Sequence, residues 1–148
     1  MSVGQQNGSI GAMSTPCAEP ALYGTGPGGE PVLYGLRCAA CDRVSFPRQP
    51  YGCEACGSAD GLPCELAATG TVRAAAEVHR HHDPRVPVPF TIVSVLLDDG
   101  PLIRGVHAGT ARAGDRVRAR LEPGGAVPDL LELRFATPAS PAGPGGGA

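Results

Sequence analysis

The sequence predicts a mostly β chain, a small metal-stapled ribbon followed by a five-stranded barrel. Three observations carry this reading. Two Cys-x2-Cys pairs, Cys38/Cys41 and Cys53/Cys56, lie eleven residues apart. From Leu66 onward, short apolar runs alternate with Gly, Pro and Asp turns in the rhythm of strands. The two ends are too rich in Gly and Pro to sustain a helical or strand period. The 148 residues thus divide into a flexible N-terminal segment 1–31, a ribbon 32–64, a barrel 65–136 and a disordered tail 137–148. The N-terminal segment is expected to stay disordered or to order only against a partner, with Leu22-Tyr23 as the one apolar pair able to anchor it.

The ribbon comes first because its chemistry is the most specific. Four thiolates presented from two tight turns meet around one tetrahedral ion at metal–sulfur distances of ~2.3 Å. Cys38 and Cys41 close one half of the site, Cys53 and Cys56 the other. All four positions are then protein ligands, so the ion, read as Zn2+ with iron as the alternative, is structural and not catalytic. It is also needed, because a unit of about 30 residues cannot bury enough apolar surface to fold unaided. Arg37, Arg43 and Arg48 lie within a few residues to offset the thiolate charge. Gly57 suits the tight turn after the second pair, and Asp42 holds the equivalent, less permissive place after the first. Disulfides and a redox dithiol are the competing readings. Residues 1–13 lack the basic start and apolar stretch of a signal peptide, and the region lacks the βαβ context of a thioredoxin motif. Cys17 and Cys64 are read as bystanders.

The barrel strands follow in order. In 71–78, Val72, Ala74, Ala76 and Val78 are expected to share one face. The almost continuously apolar run 90–97 reads as a strand covered on both sides, and Asp98-Asp99-Gly100 turns it into 102–106 as a hairpin. Ala113-Gly114-Asp115 leads to 116–121, where Val117, Ala119 and Leu121 face in and three Arg face out. Leu131, Leu133 and Phe135 alternate with Glu132 and Arg134 in the fifth strand. Five such strands close into a barrel because closure removes exposed edges, and the long 79–89 connection favours an OB-fold barrel over an SH3-like one.

Composition weighs against several functions. Net charge is -2, the pI is near 6.0 and all twelve basic residues are Arg; aromatics are 4% and Trp is absent. That is a poor balance for a nucleic-acid binder, which clusters positive charge and stacking platforms. No run of 18 apolar residues suggests a membrane span, and a cytoplasmic protein is expected. His79, His81, His82 and Asp83 fall in a polar loop with no further ligand at metal spacing, and His107 stands alone near a strand end. There is no nucleophile elbow, no phosphate loop and no carboxylate pair; Asp98-Asp99 is turn chemistry. No catalytic residue is expected.

The order of features is itself recognisable. Leu36-Arg37-Cys38 enters the first pair, Phe46-Pro47 lies between the pairs, and Cys53 to Gly57 closes the ribbon. Gly70-Thr71-Val72 starts the barrel, a His-Pro loop spans 79–84, Pro89-Phe90 opens the apolar strand, and the hairpin turns at 97–100. Over about residues 33–136 this resembles the zinc-ribbon and OB-fold family of acyl-CoA-associated proteins. The resemblance implies a small non-catalytic subunit in a hetero-oligomer with a thiolase-like enzyme, an acyl-CoA acyltransferase or C–C lyase, with the coenzyme A thioester bound together with that partner. Some members accompany hydratase-like or aldolase-like subunits. The family commonly begins with an amphipathic helix, and 18–31 is too rich in Gly and Pro to form one. The 79–89 loop and the ribbon are expected to face the partner, with Arg80 or Arg85 available for phosphate and Phe90 packing beneath. The alternatives are a nucleic-acid-binding ribbon and barrel, or a partner of an enoyl-CoA hydratase-like subunit.

Overall fold

The computed structural model describes residues 15–124 and 127–138; the expected tail beyond 138 and the first 14 residues lie outside them. Among the described residues nine strands follow one another: β1 (Tyr23–Thr25), β2 (Pro31–Cys38), β3 (Val44–Ser45), β4 (Gly61–Ala67), β5 (Thr69–Val78), β6 (Phe90–Leu97), β7 (Leu102–His107), β8 (Arg116–Pro123) and β9 (Leu131–Ala136). The first four form the ribbon sheet, with β2 flanked by β1 and β3 and paired along its length with β4. The last five close into a barrel in the order β5-β6-β7-β9-β8, with β8 returning to β5. All neighbours are antiparallel except β7 and β9, which run parallel where Val106 meets Arg134 and His107 meets Phe135. This is the mostly β ribbon and OB-like barrel that the strand pattern predicted.

Within β5 the expected alternation breaks. The register shifts between Val72 and Ala74, leaving Arg73 as a bulged residue. Val72 stands opposite buried Val95, but beyond the bulge Ala74, Ala76 and Val78 stand opposite Ser94, Ile92 and Phe90. One inserted residue in a period-2 element moves everything after it to the other face. Val78 is thereby placed on the outer side, beside Ile92 and Phe90.

The core is continuous between the two units. Phe135, Val72, Val93, Val95, Leu97 and Val117 fill the barrel, and Leu33 and Leu66 of the ribbon sheet are buried in the same cluster. Each such side chain stabilises the fold by roughly 1.5–3 kcal/mol relative to exposure. Ala68, between β4 and β5, is buried, and its carbonyl accepts the Ala119 N–H at 2.8 Å. The hairpin tip also ties the units, since Asp99 Oδ2 accepts the Ala67 N–H at 3.3 Å, while within the barrel Asp98 pairs with Arg116 at 2.7 Å.

Within the N-terminal segment, residues 15–31 are held in place, in contrast to the flexibility expected up to residue 31. The Leu131 N–H donates to the Pro16 carbonyl and the Ala18 N–H to the Leu131 carbonyl, both at 2.8 Å, and β1 adds to the ribbon sheet. The reason lies in β9. It pairs with β7 only at Arg134 and Phe135, so its edge at Leu131 has free backbone groups, and the leader satisfies them.

Candidate metal centre and adjoining groove

The two Cys pairs adopt the same local structure. In each, the residue after the second Cys takes a left-handed conformation, Asp42 at φ 64° and Gly57 at φ 79°. Its N–H turns back to the carbonyl of the first Cys, Asp42 to Cys38 at 3.0 Å and Gly57 to Cys53 at 2.8 Å. The first Cys of each pair then donates its own N–H to the residue beyond, Cys38 to Arg43 and Cys53 to Ser58, each at 2.8 Å. Asp accepts the left-handed turn at some cost that Gly does not incur.

These turns bring the four sulfurs together. Cys38 Sγ lies 3.5 Å from Cys56 Sγ and Cys41 Sγ 3.7 Å from Cys53 Sγ, and all four fall within 4.8 Å of one another. A tetrahedral Zn2+ with bonds of ~2.3 Å places its sulfurs about 3.8 Å apart, so the cluster geometry is compatible with a structural zinc site. The turns also polarise the thiols. The Cys56 and Ala55 backbone N–H groups hold Cys53 down to about 6, and those of Cys41 and Ala40 lower Cys38. The Arg43 N–H draws Cys41 the same way, but desolvation and the neighbouring sulfurs outweigh it and push Cys41 up to about 12. Metal binding at such a cluster displaces whatever thiol protons remain.

Of the three guanidinium groups expected to offset this charge, Arg43 bridges to Glu54 at 2.7 Å across the two knuckles. Arg37 reaches the Asp42 carbonyl at 3.4 Å. Arg48 turns away: it donates to the Gly35 carbonyl at 2.7 Å and lies over the Tyr34 ring, pinning the ribbon strands.

A groove of about 860 Å³ adjoins the ribbon. Its floor is the outer face of the β6–β7 hairpin and β9, with Ile92 opposite Val106 and Val106 beside Arg134. Phe46 of the ribbon, Leu22 of the leader and Phe90 at the foot of the 79–89 loop form its apolar walls. Phe90 therefore stands where the loop, barrel and ribbon meet. Arg80 and Arg85 are exposed on the same loop but are not among the residues lining the groove. Arg85 is held by Asp83 through contacts of 3.1 and 2.8 Å, which lower the Asp83 carboxyl to about 2. The loop histidines do not converge on a site: His81 stacks on His82, meets Phe90 edge-on and accepts the Asp83 N–H at 3.1 Å. His107 is buried, with Nδ1 accepting the Gly109 N–H at 2.9 Å and Nε2 3.0 Å from Thr137 Oγ1. The sequence reading missed Arg104 and Arg134 as groove residues. Alternation put Arg134 outside the barrel, but its neighbour Val106 comes from a parallel pairing that no local pattern announces.

The cysteine segment matches a family described as ChsH2, rubredoxin-like zinc ribbon domain, over residues 26–60. Residues 26–60 are thus similar to the ChsH2-type zinc ribbon. The likeness extends into the barrel: a solved structure described as an Ltp2-ChsH2(DUF35) aldolase is 29% identical with a TM-score of 0.59, covering 71% of this chain and 84% of that one. No curated protein matches the chain by sequence. The ribbon and the barrel behind it therefore share their arrangement with that structure. No helix among the described residues is long and apolar enough to cross a membrane.

Proposed function

We propose that the chain is a non-catalytic, zinc-containing accessory subunit that binds a thiolase-like catalytic partner and supports its acyl-CoA chemistry. The observation carrying this reading is the joint likeness of ribbon and barrel to the Ltp2-ChsH2(DUF35) aldolase at 29% identity. The metal centre agrees with it. Among the described residues the four Cys are the only group of three or more His, Cys, Asp or Glu side chains placed to hold a metal, and every ligand position would be taken by protein. Cys38, Cys41, Cys53 and Cys56 would hold Zn2+, which supplies rigidity to the ribbon and leaves the reacting groups to the partner.

The 79–89 loop, with Arg80, Arg85 and Phe90, is proposed to face the partner near its coenzyme A entrance. Arg85 is engaged by Asp83 in a two-pronged ion pair, so a phosphate at Arg85 would compete with that carboxylate, whereas Arg80 is in no ion pair among the described residues. Changing Arg80 and Arg85 together to Ala should raise the apparent KM of the assembled enzyme for its thioester while leaving the melting temperature of the isolated chain unchanged. The reading as a whole is tested by co-purification with a thiolase-like aldolase subunit and assay of C–C bond cleavage in the acyl-CoA. A stable complex whose activity needs both chains is expected. Turnover by the pure chain alone, or tight binding of single-stranded RNA at physiological salt with no such complex, overturns it.

A further inference from the structure

We infer that the groove is a binding site for a small molecule with an apolar body and one carboxylate, held by Arg134 with Arg104 beside it. The apolar part is accounted for by the floor and walls. Ile92, Val106 and Phe90 lie on the outer face of β6 and β7, the face that OB barrels present to ligands, and Leu22 and Phe46 close over them. The volume, about 860 Å³, lies within the range of small-molecule sites, roughly 300–1,000 Å³.

The anionic part follows from the arginines. Arg134 Nη2 reaches Glu132 at 3.2 Å, but Arg134 Nε is buried with no hydrogen-bond partner among the described residues. An N–H donor withdrawn from water and left unmatched is costly, and an oxygen entering the groove beside Arg134 would satisfy it. Of its two arginine neighbours, only one adds an unpaired charge. Arg120 stands directly opposite Arg134 on β8, with Glu122 3.5 Å away from its Nη2. Arg104 lies two residues from Val106 on the same face of β7, exposed and in no ion pair among the described residues. The acidic side chains of the groove are Glu132, already engaged by Arg134; Glu77, 3.8 Å from His79; and Glu19, on the leader. The free donors therefore gather at the β7–β9 end. One unmatched N–H and one free guanidinium over an apolar floor suit a monoanion with two oxygens on a hydrophobic stem, whereas a phosphate dianion gains nothing from that stem. This deepens the accessory-subunit reading and rests on it only in making the ligand the acyl portion of the thioester, bearing a free carboxylate.

The zinc-loaded full chain, titrated with 4-phenylbutyrate, neutral 4-phenylbutanamide and inorganic phosphate and followed by amide shifts in NMR, tests the site directly. The carboxylate is expected to shift Ile92, Val106, Leu133 and Arg134 saturably, and the amide to bind about tenfold more weakly, the loss that goes with one charge-assisted hydrogen bond. Phosphate should cause no shift there. Arg134→Gln should bring the carboxylate down to the level of the amide, Arg104→Gln should weaken it several-fold, and Arg73→Gln, outside the groove, should change nothing. Equal affinity for carboxylate and amide, no binding, competition by phosphate, or discrimination that survives both groove substitutions overturns the inference. Such a failure alongside a stable complex with the thiolase-like partner would remove the carboxylate site and leave the accessory role standing; success without the complex would do the reverse.

Discussion

The Tyr23 hydroxyl donates to the Leu131 carbonyl at 3.1 Å, joining residues 108 positions apart. It sits where the barrel wall is incomplete, below the short β7–β9 pairing, and it holds the leader and the ribbon sheet against β9. Burial raises its pKa above the ordinary 10.0, so the hydroxyl remains a donor throughout the neutral range. Leu131 also accepts the Ala18 N–H, so the carbonyl is not orphaned when the hydroxyl is removed. Tyr23→Phe should therefore destabilise by only about 0.5–1.5 kcal/mol in urea unfolding, and Tyr23→Ala, which also empties a core position, by roughly 3–5 kcal/mol. Equal effects of the two would mean that the ring contributes nothing.

Gly105 is required by its neighbour. A Cβ there would lie 2.7 Å from Cε2 of Phe135, which is fully buried. Gly105→Ala should cost on the order of 1–3 kcal/mol through overpacking, measured as a lowered denaturation midpoint with unchanged slope.

Replacing any of Cys38, Cys41, Cys53 or Cys56 by Ser should abolish stoichiometric zinc in elemental analysis. The stability loss should be several kcal/mol, below the roughly 10–16 kcal/mol of isolated zinc-finger peptides, because Leu33 and Leu66 still pack in the shared core. For the same reason a chelator should lower one common melting transition and not produce a separate one for the ribbon. Cys17→Ser and Cys64→Ser should keep their zinc.

Asp83 supplies a pH signature. Its carboxyl is drawn from 3.8 to about 2, chiefly by the Arg85 side-chain hydrogen bonds. A folded-state value below the unfolded one means that the contact contributes fully above the unfolded value and is lost as pH falls through about 2. Carboxyl NMR should show an Asp83 midpoint near 2, and Arg85→Gln should move it up toward 3.8. A midpoint already at the ordinary value in the parent chain would show that the ion pair does not form in solution.

The sequence by itself determined the elements whose cause is local. The Cys-x2-Cys spacing dictates two knuckles whatever lies around them. Alternation with turn residues located the five barrel strands, and Asp98-Asp99-Gly100 fixed the hairpin between β6 and β7. Tertiary structure decided what depends on a distant partner. The bulge at Arg73 arises from the match of β5 to β6 and sends Val78 to the outer face, against the local pattern. The leader is ordered because β7 does not reach Leu131, leaving that edge of β9 open on the side away from β8, a vacancy created by how β7 and β9 meet. The groove exists because the parallel pairing sets Val106 beside Arg134, and the leader and ribbon stand over that face. Residues brought together from opposite ends of a chain leave no periodicity in it, since the contact depends on the closure of the whole barrel and not on the conformational preference of either segment.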